Sequence, residues 1–403
     1  MTDRLEITVS RYHQAREAFR QKELRQALYD EGEVVMSDVL VNLHGADHQA
    51  RRRLENRLFR KDTHRLYERE FFPPVVAATL APHAANGHAE LVTLSHELMM
   101  NLAAFTAGVD RPHGTREETM RLYDYLMLFI QGATLAHYTG DRAAKREEVA
   151  QALAAFESEF LQPSIQRRRV LLAAVEDGSG EEADLPRDVL TTLLRNDAEL
   201  HLPSAVVLRE TCFFLLAGAH TSATAFVRTL HNVYAMGEEH PEDFEQACTD
   251  LAFLQRCVHE TVRLQPSSPI AMRYALGEAD LLGEVHIPAG AFVIIDLMAA
   301  NRDPSVFGEG AHDFDPHRLL EPGVAPWGLS FGLGMHACIG QDLAAGIDPM
   351  GHPVGDDHLY GLVPVAIRAL LDAGGRPDPA DPPTMDPDNS RGYWGRYPVR
   401  FPA

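Results

Sequence analysis

Cys338 lies in the stretch Phe331-Gly332-Leu333-Gly334-Met335-His336-Ala337-Cys338-Ile339-Gly340. Glycines at 332, 334 and 340 let the backbone turn tightly and pass close to a flat group, because a residue without Cβ avoids the clash and tolerates positive φ. A loop of this kind is rich in backbone N–H groups. Aimed at a sulfur, such groups stabilise negative charge on it, so the thiol ionises and binds metal well below its free pKa of about 8.5. These residue types suit a thiolate ligand to a metal held beside a planar surface. The simpler reading of a lone cysteine in such a turn is a buried, inert thiol.

Ten consecutive positions decide between the two readings. They match F-G-x-G-x-H-x-C-x-G, and the segment resembles the haem-binding loop of the cytochrome P450 family, in its bacterial soluble type. In that family an earlier helix carries E-x-x-R, matched here by Glu260-Thr261-Val262-Arg263 within the helical run Leu251 to Leu264. A glutamate and an arginine three apart share a helix face and form an ion pair, but surface helices carry such pairs constantly. The order of motifs gives this one its weight. Pro266 follows, then Ala299-Ala300-Asn301-Arg302-Asp303-Pro304, then Phe314-Asp315-Pro316-His317-Arg318, then the cysteine loop. The resemblance implies that Arg318 closes a buried cluster with Glu260 and Arg263 that supports the loop.

Carried over position by position, the resemblance implies haem b (iron protoporphyrin IX) with Cys338 as the iron ligand, and Phe331 and Gly340 beside it. His48 and Arg52, in the segment that opens His44-Gly45-Ala46-Asp47-His48, match an H-x-x-x-R pair that reaches a propionate; Arg273 and His336 match further propionate partners. Such partners make physical sense, because a haem buries its macrocycle while its two carboxylates still require hydrogen bonds or charge pairing. In Leu216-Ala217-Gly218-Ala219-His220-Thr221-Ser222, small residues at 217 and 218 leave room for dioxygen and for a local bulge of the helix. Thr221 matches the alcohol that holds a proton-delivering water. His220 stands where an acid is usual; it is either structural or, with an unperturbed pKa near 6.5, a proton relay. Ser267, Ser268, Ile270 and Ala271, with Phe213, Phe214 and Ala217, are expected near the substrate.

The function implied is a monooxygenase that activates dioxygen with two electrons supplied from outside, the thiolate favouring O–O cleavage, to oxidise an apolar small molecule. No flavin or ferredoxin motif is present, so the electrons are expected from a separate ferredoxin and ferredoxin reductase. Three other readings stay open: a peroxide-driven enzyme, which the missing acid keeps alive; a haem-thiolate enzyme with non-hydroxylating chemistry; and a catalytically silent haem-binding or sensor protein.

Composition fits an enzyme of this kind without identifying it. The 403 residues are 45% hydrophobic, enough for a large core, and no linker splits them, so one domain over 1–403 is expected. A net charge of −21 argues against nucleic acid or an anionic membrane as partner. Charged residues interrupt the first 20 positions, no apolar run spans a bilayer, and Cys212, Cys248, Cys257 and Cys338 show no paired spacing, so a cytoplasmic location is expected. Of the clusters Arg51-Arg52-Arg53 and Arg167-Arg168-Arg169, the first is a candidate docking patch for an acidic ferredoxin.

Apolar residues recurring at three and four predict helices over Tyr12–Leu28, Asp47–Phe59, His64–Ala81, Leu91–Ala107, Arg116–Leu135, Asp141–Ala174 and Ser204–Met236. A strand-rich part follows around Met272 to Ile295, making a mainly α chain of the P450 fold, a large helical part with a smaller β-rich part. Two departures stand out. The N-terminus is short, with a strand and helix start already at Leu5 to Tyr12. The helix expected after Cys338 is interrupted at 347–357 by two prolines and two glycines.

Overall fold

The structure is a computed structural model that describes residues 5–402 apart from 136–137, 139, 350–351 and 388–391. In chain order, the elements around the site begin with strand β1 (Glu6–Val9), helix α1 (Tyr12–Arg20) and helix α2 (Gly45–Glu55). The long helix α3 (Ser204–Glu239) and helix α4 (Leu251–Leu264) come next. Strands β2 (Ile270–Ala275) and β3 (Phe292–Asp296) precede helices α5 (Gln341–Ala345) and α6 (Leu362–Asp372). No helix among the described residues is long and apolar enough to cross a membrane.

The chain gathers into two compact units, each woven from separate stretches. One, the cysteine unit, takes Met1–Arg25, His64–Leu98 and Thr221–Ala403; the other, the helical unit, takes Gln26–Thr63 and Met99–His220. In the cysteine unit β3 lies between β1, parallel to it with Glu6 opposite Phe292, and β2, antiparallel with Arg273 opposite Val293. Alternation along β3 buries Val293 and Ile295, as a strand period of two requires. These residues join Val9, Tyr12, Phe19, Phe307 and Leu329 in one apolar core. The Asp303 carboxylate accepts the N–H of Tyr12 at 3.0 Å, which starts α1 beside that core.

Several elements depart from the expected bounds, for identifiable reasons. The first helix stops at Arg20, and Leu24–Gln26 becomes an edge strand of the sheet. The runs expected as single helices over 64–81 and 141–174 each contain a π turn, at Tyr67–Phe71 and Glu157–Leu161. Each π turn is followed at once by prolines in the opening positions of the next helix, Pro73 and Pro74 in one case and Pro163 in the other. Proline has no N–H to donate back, and the wider turn absorbs the missing bond. The helix does not use the room for a local bulge near Gly218, since α3 is α-helical from end to end. Gly218 has a packing reason instead: a Cβ there would stand 3.3 Å from the Ala103 Cβ.

Candidate active site

In the cysteine loop, Gly332 and Gly334 have φ of 63° and 69°, the left-handed region that glycine occupies without strain. Gly334 is doubly constrained, because a Cβ would stand 2.6 Å from the Phe19 carbonyl oxygen at the end of α1. The N–H of Cys338 donates to the Phe331 carbonyl at 2.8 Å, closing the loop on itself. Cys338 is exposed at its crest, whereas Cys212 and Cys257 are buried and burial pushes their thiols up. The Phe19 ring also lies under the Arg273 guanidinium, 5.1 Å away, and its edge is 3.6 Å from where a Gly332 Cβ would stand. Phe19 therefore joins Arg273 on β2 to the cysteine loop. Nothing in the sequence singled out that residue.

Glu260, Arg263 and Arg318 meet. Arg263, with no exposed side-chain surface, holds Glu260 in a two-pronged pair, Nε and one terminal nitrogen each 2.6 Å from a carboxylate oxygen. Arg318 Nε donates to Glu260 at 3.1 Å. The remaining guanidinium donors go to carbonyls: Arg263 to Asn301 and Ala311, Arg318 to Phe307, Gly310 and Asp313. Fork geometry and full use of the donors are what make a buried ion cluster tolerable. Its link to the cysteine loop is Asn301, fully buried. The Asn301 amide donates to the Arg263 carbonyl at 3.0 Å and to Ser330 Oγ at 2.8 Å, and its oxygen accepts the N–H of Leu329 at 2.7 Å. Gly328, with φ 60°, leaves room for it, since a Cβ would lie 2.3 Å from the amide oxygen. In the sequence Asn301 is a polar amide that closes the apolar run Leu297–Ala300.

Thr221 is exposed on α3. Ser267 Oγ donates to the Thr221 carbonyl at 3.1 Å, and the Ser267 carbonyl accepts from Tyr393 Oη at 2.8 Å. Arg228 completes this corner, donating to the carbonyls of Gln265, Pro266 and Gly392 with its guanidinium 4.8 Å from the Tyr393 ring. Ser268 instead donates to the Ile270 carbonyl close by in the chain.

Within the helical unit, His48 and Arg52 lie one turn apart on α2, and Ala217 and His220 on α3 are half-buried. Burial first, then the charges of Arg52 and His44, push the His48 imidazole down to about 4. Arg51 is corrected: it is buried and pairs with Glu210 on α3 at 2.7 Å, so it offers no docking charge. Arg53 is exposed and pairs with Glu199. Phe214 stacks on Phe59 at 5.8 Å and is a core contact.

The sequence pattern of the cytochrome P450 family matches residues 140–346, just over half of the chain. The chain belongs to the cytochrome P450 family. Among curated P450 relatives, steroid 21-hydroxylase of Bos taurus is 37% identical over 94 residues, 23% of this chain and 19% of the relative. Cyclooctat-9-en-7-ol 5-monooxygenase of Streptomyces melanosporofaciens is 32% identical over 180 residues, 39% of this chain and 38% of the relative. These matches span well under half the length of the relatives. In solved structures the likeness covers 98% of the chain. P450BioI, in complex with an acyl carrier protein ligated to hexadec-9Z-enoic acid, gives a TM-score of 0.74 at 20% identity over 92% of that chain. CYP109B1 of Bacillus subtilis gives 0.72 at 19% identity over 93% of that chain. Identities this low establish the P450 fold.

P450 proteins carry haem b through a cysteine thiolate. The residues of this P450 fit that group. Gly340 has an ordinary φ of −95°, and none of the described residues beyond its chain neighbours lies within 4 Å of where its Cβ would stand. Neither its φ nor the chain's own packing demands glycine there, whereas Gly332 needs it for φ and Gly334 for both, so the backbone next to Cys338 is left open for a flat partner. The family match ends at Gly346, and there the helix after Cys338 ends too. The inserted segment is longer than the expected 347–357: regular helix resumes only at Leu362.

Proposed function

We propose that the protein is a haem-thiolate monooxygenase, with Cys338 as the iron ligand. The observation that carries the reading is the exposed thiol on a loop whose entry, Leu329 and Ser330, hangs through Asn301 from the buried Glu260–Arg263–Arg318 cluster. When bound, haem b supplies dioxygen activation driven by two electrons delivered singly. The chain's residues do the rest. The Phe331 carbonyl takes the N–H of Cys338 and holds the thiolate in place. By their match to the family's motifs, Arg273 and His336, and likewise His48 and Arg52, would offer hydrogen bonds or charge to haem propionates. Thr221 would hold a proton at its hydroxyl, and Ser267 fixes the backbone that carries it by donating to the Thr221 carbonyl. His220 supplies the proton in place of the usual acid.

The substrate is an apolar small molecule, the second substrate is dioxygen, and the donors are a separate ferredoxin and its reductase in the cytoplasm. Each compact unit is woven from separate stretches of chain, which supports reading residues 1–403 as a single P450 domain. The missing acid before Thr221 is the one observation favouring a second reading, a peroxide-driven enzyme.

The test is the absorption spectrum of the purified protein, reduced under carbon monoxide, beside Cys338→Ala. The red-shifted Soret band of a thiolate-ligated carbonyl, present in the parent and lost in the variant, is the expected result. A band insensitive to the substitution, or no haem, overturns it. Turnover with reductase, ferredoxin and oxygen against turnover with peroxide alone then separates the two readings.

A further inference from the structure

The helix that follows Cys338 lasts five residues. Gly346, with φ 76°, ends it, and the chain becomes helical again only after Gly361, with φ 90°. The two glycines are in contact, since a Cβ on Gly361 would stand 2.3 Å from the Gly346 nitrogen. The N–H of Ile347 donates to the Leu359 carbonyl at 2.9 Å. The inserted residues therefore leave the helix and rejoin it at one point. On the rejoining side, Glu68, carried by the first π turn, accepts the N–H groups of Tyr360 and Gly361 at 3.1 and 2.7 Å.

Breaking a helix strips its last four carbonyls of their intrahelical donors, and a buried carbonyl must find another. Ala345 is the last residue of α5 and is buried. Its oxygen accepts from two side chains one turn apart on α4, His259 Nε2 at 2.8 Å and Gln255 Nε2 at 3.0 Å. Gln255 also donates to the Ile347 carbonyl and accepts from His358 Nε2. Burial holds His259 down at about 4, so it is neutral and keeps its Nε2 proton on the carbonyl.

His259 also touches the other side of the loop. Its ring meets Trp327 edge-on at 5.0 Å, Trp327 meets Phe331 edge-on at 5.6 Å, and the Phe331 carbonyl accepts the N–H of Cys338. One buried imidazole thus contacts both chain directions leaving Cys338: the truncated helix after it, and the aromatic pair before it. We propose that His259 is a positioning residue for the Cys338 thiolate, doing for the shortened helix what continued helical hydrogen bonding would do for an unbroken one. The inference rests on Cys338 being the iron ligand.

The experiment compares His259→Leu, which removes both contacts, with His259→Gln, which keeps a donor. Readouts are the thiolate share of the ferrous-carbonyl spectrum and the haem reduction potential, in preparations of equal haem content and equal far-ultraviolet dichroism. The parent is measured first. Absence of the thiolate band in the parent defeats the ligand assignment itself, and this proposal falls with it. Where the parent shows the band, His259→Leu loses thiolate carbonyl form severalfold and shifts the potential, while His259→Gln keeps most of both. Parent-like values in His259→Leu, or equal loss in the two variants, overturn the proposal alone and leave the ligand assignment standing. Should His259→Leu not fold, His259→Phe decides, because it keeps a ring against Trp327 and removes the donor to the Ala345 carbonyl. A smaller loss of the same kind supports the proposal, and no change overturns it.

Discussion

Replacing Glu260 tests the ion cluster most sharply. Its carboxylate, 4% exposed, takes Arg263 twice, Arg318 once and the backbone N–H of Asp315 at 3.2 Å. In Glu260→Leu all four bonds go, and two largely buried guanidinium groups keep only carbonyl partners. Removing one member of a buried pair costs about 3–5 kcal/mol, and with two cations stranded the upper end applies, ~5 kcal/mol. Glu260→Gln keeps one oxygen of the same shape, but turns charge-assisted bonds worth about 1.5–3 kcal/mol each into ordinary ones near 1 kcal/mol and aims an NH2 group at donors; about 3 kcal/mol is expected for it. Against a total stability of roughly 5–15 kcal/mol either loss is large. Urea unfolding followed by tryptophan fluorescence reads the global effect, with Trp327 reporting from just ahead of the cysteine loop. Amide exchange reads the local one: at ~1.4 kcal/mol per tenfold, the Leu329 N–H held by Asn301 should exchange on the order of 100-fold faster in Glu260→Gln. A loss below about 1 kcal/mol with unchanged exchange at Leu329 would refute the claim that the cluster suspends the loop.

Two further expectations concern other parts of the chain. Glu55 is buried, and neither of its oxygens has a hydrogen-bond partner among the described residues. Burial and then the charge of Glu210 hold its carboxyl well above the usual range, and burial likewise pushes Glu210 up to about 7. The folded chain then keeps protons that the unfolded chain releases above about 4.5, so these groups stabilise fully below that pH and lose their contribution as pH rises, that of Glu210 through about 7. Urea midpoints compared at about pH 5 and about pH 8 should show a smaller fall in Glu55→Gln than in the parent, and an identical fall would sink the assignment. Ser267→Ala removes a hydrogen bond to the Thr221 carbonyl worth about 0.5–1.5 kcal/mol, so the peroxide released per electron pair should rise roughly 2- to 10-fold, with Ser267→Thr restoring coupling; equal coupling in all three would detach Ser267 from Thr221.

Local chemistry alone determined much of this protein. The glycine spacing around Cys338 specified a tight loop, because positive φ is a property of the residue and its neighbours, and Gly332 and Gly334 adopt it. Amphipathic periodicity placed Leu91–Ala107 and Leu251–Leu264 at their observed bounds, since each buries a face or more whatever its partner. The break after Ala345 was legible from prolines and glycines that cannot continue a helix.

Tertiary structure decided what those elements touch. Arg51 read as one of three surface arginines, yet it is buried against Glu210, because the face a helix presents depends on what packs there. Nothing in the neighbours of Asn301, Phe19 and His259 along the sequence fixes their contacts, and their importance comes from atoms that folding brings to them. Phe19, near the start of the chain, meets Gly332 and Gly334 in the cysteine loop, and His259 meets the Ala345 carbonyl. A contact across such a separation leaves no periodic trace. The sequence by itself determined which backbone can turn and which can coil around Cys338; only the packed chain, by bringing remote donors to orphaned carbonyls, decided how that cysteine is held.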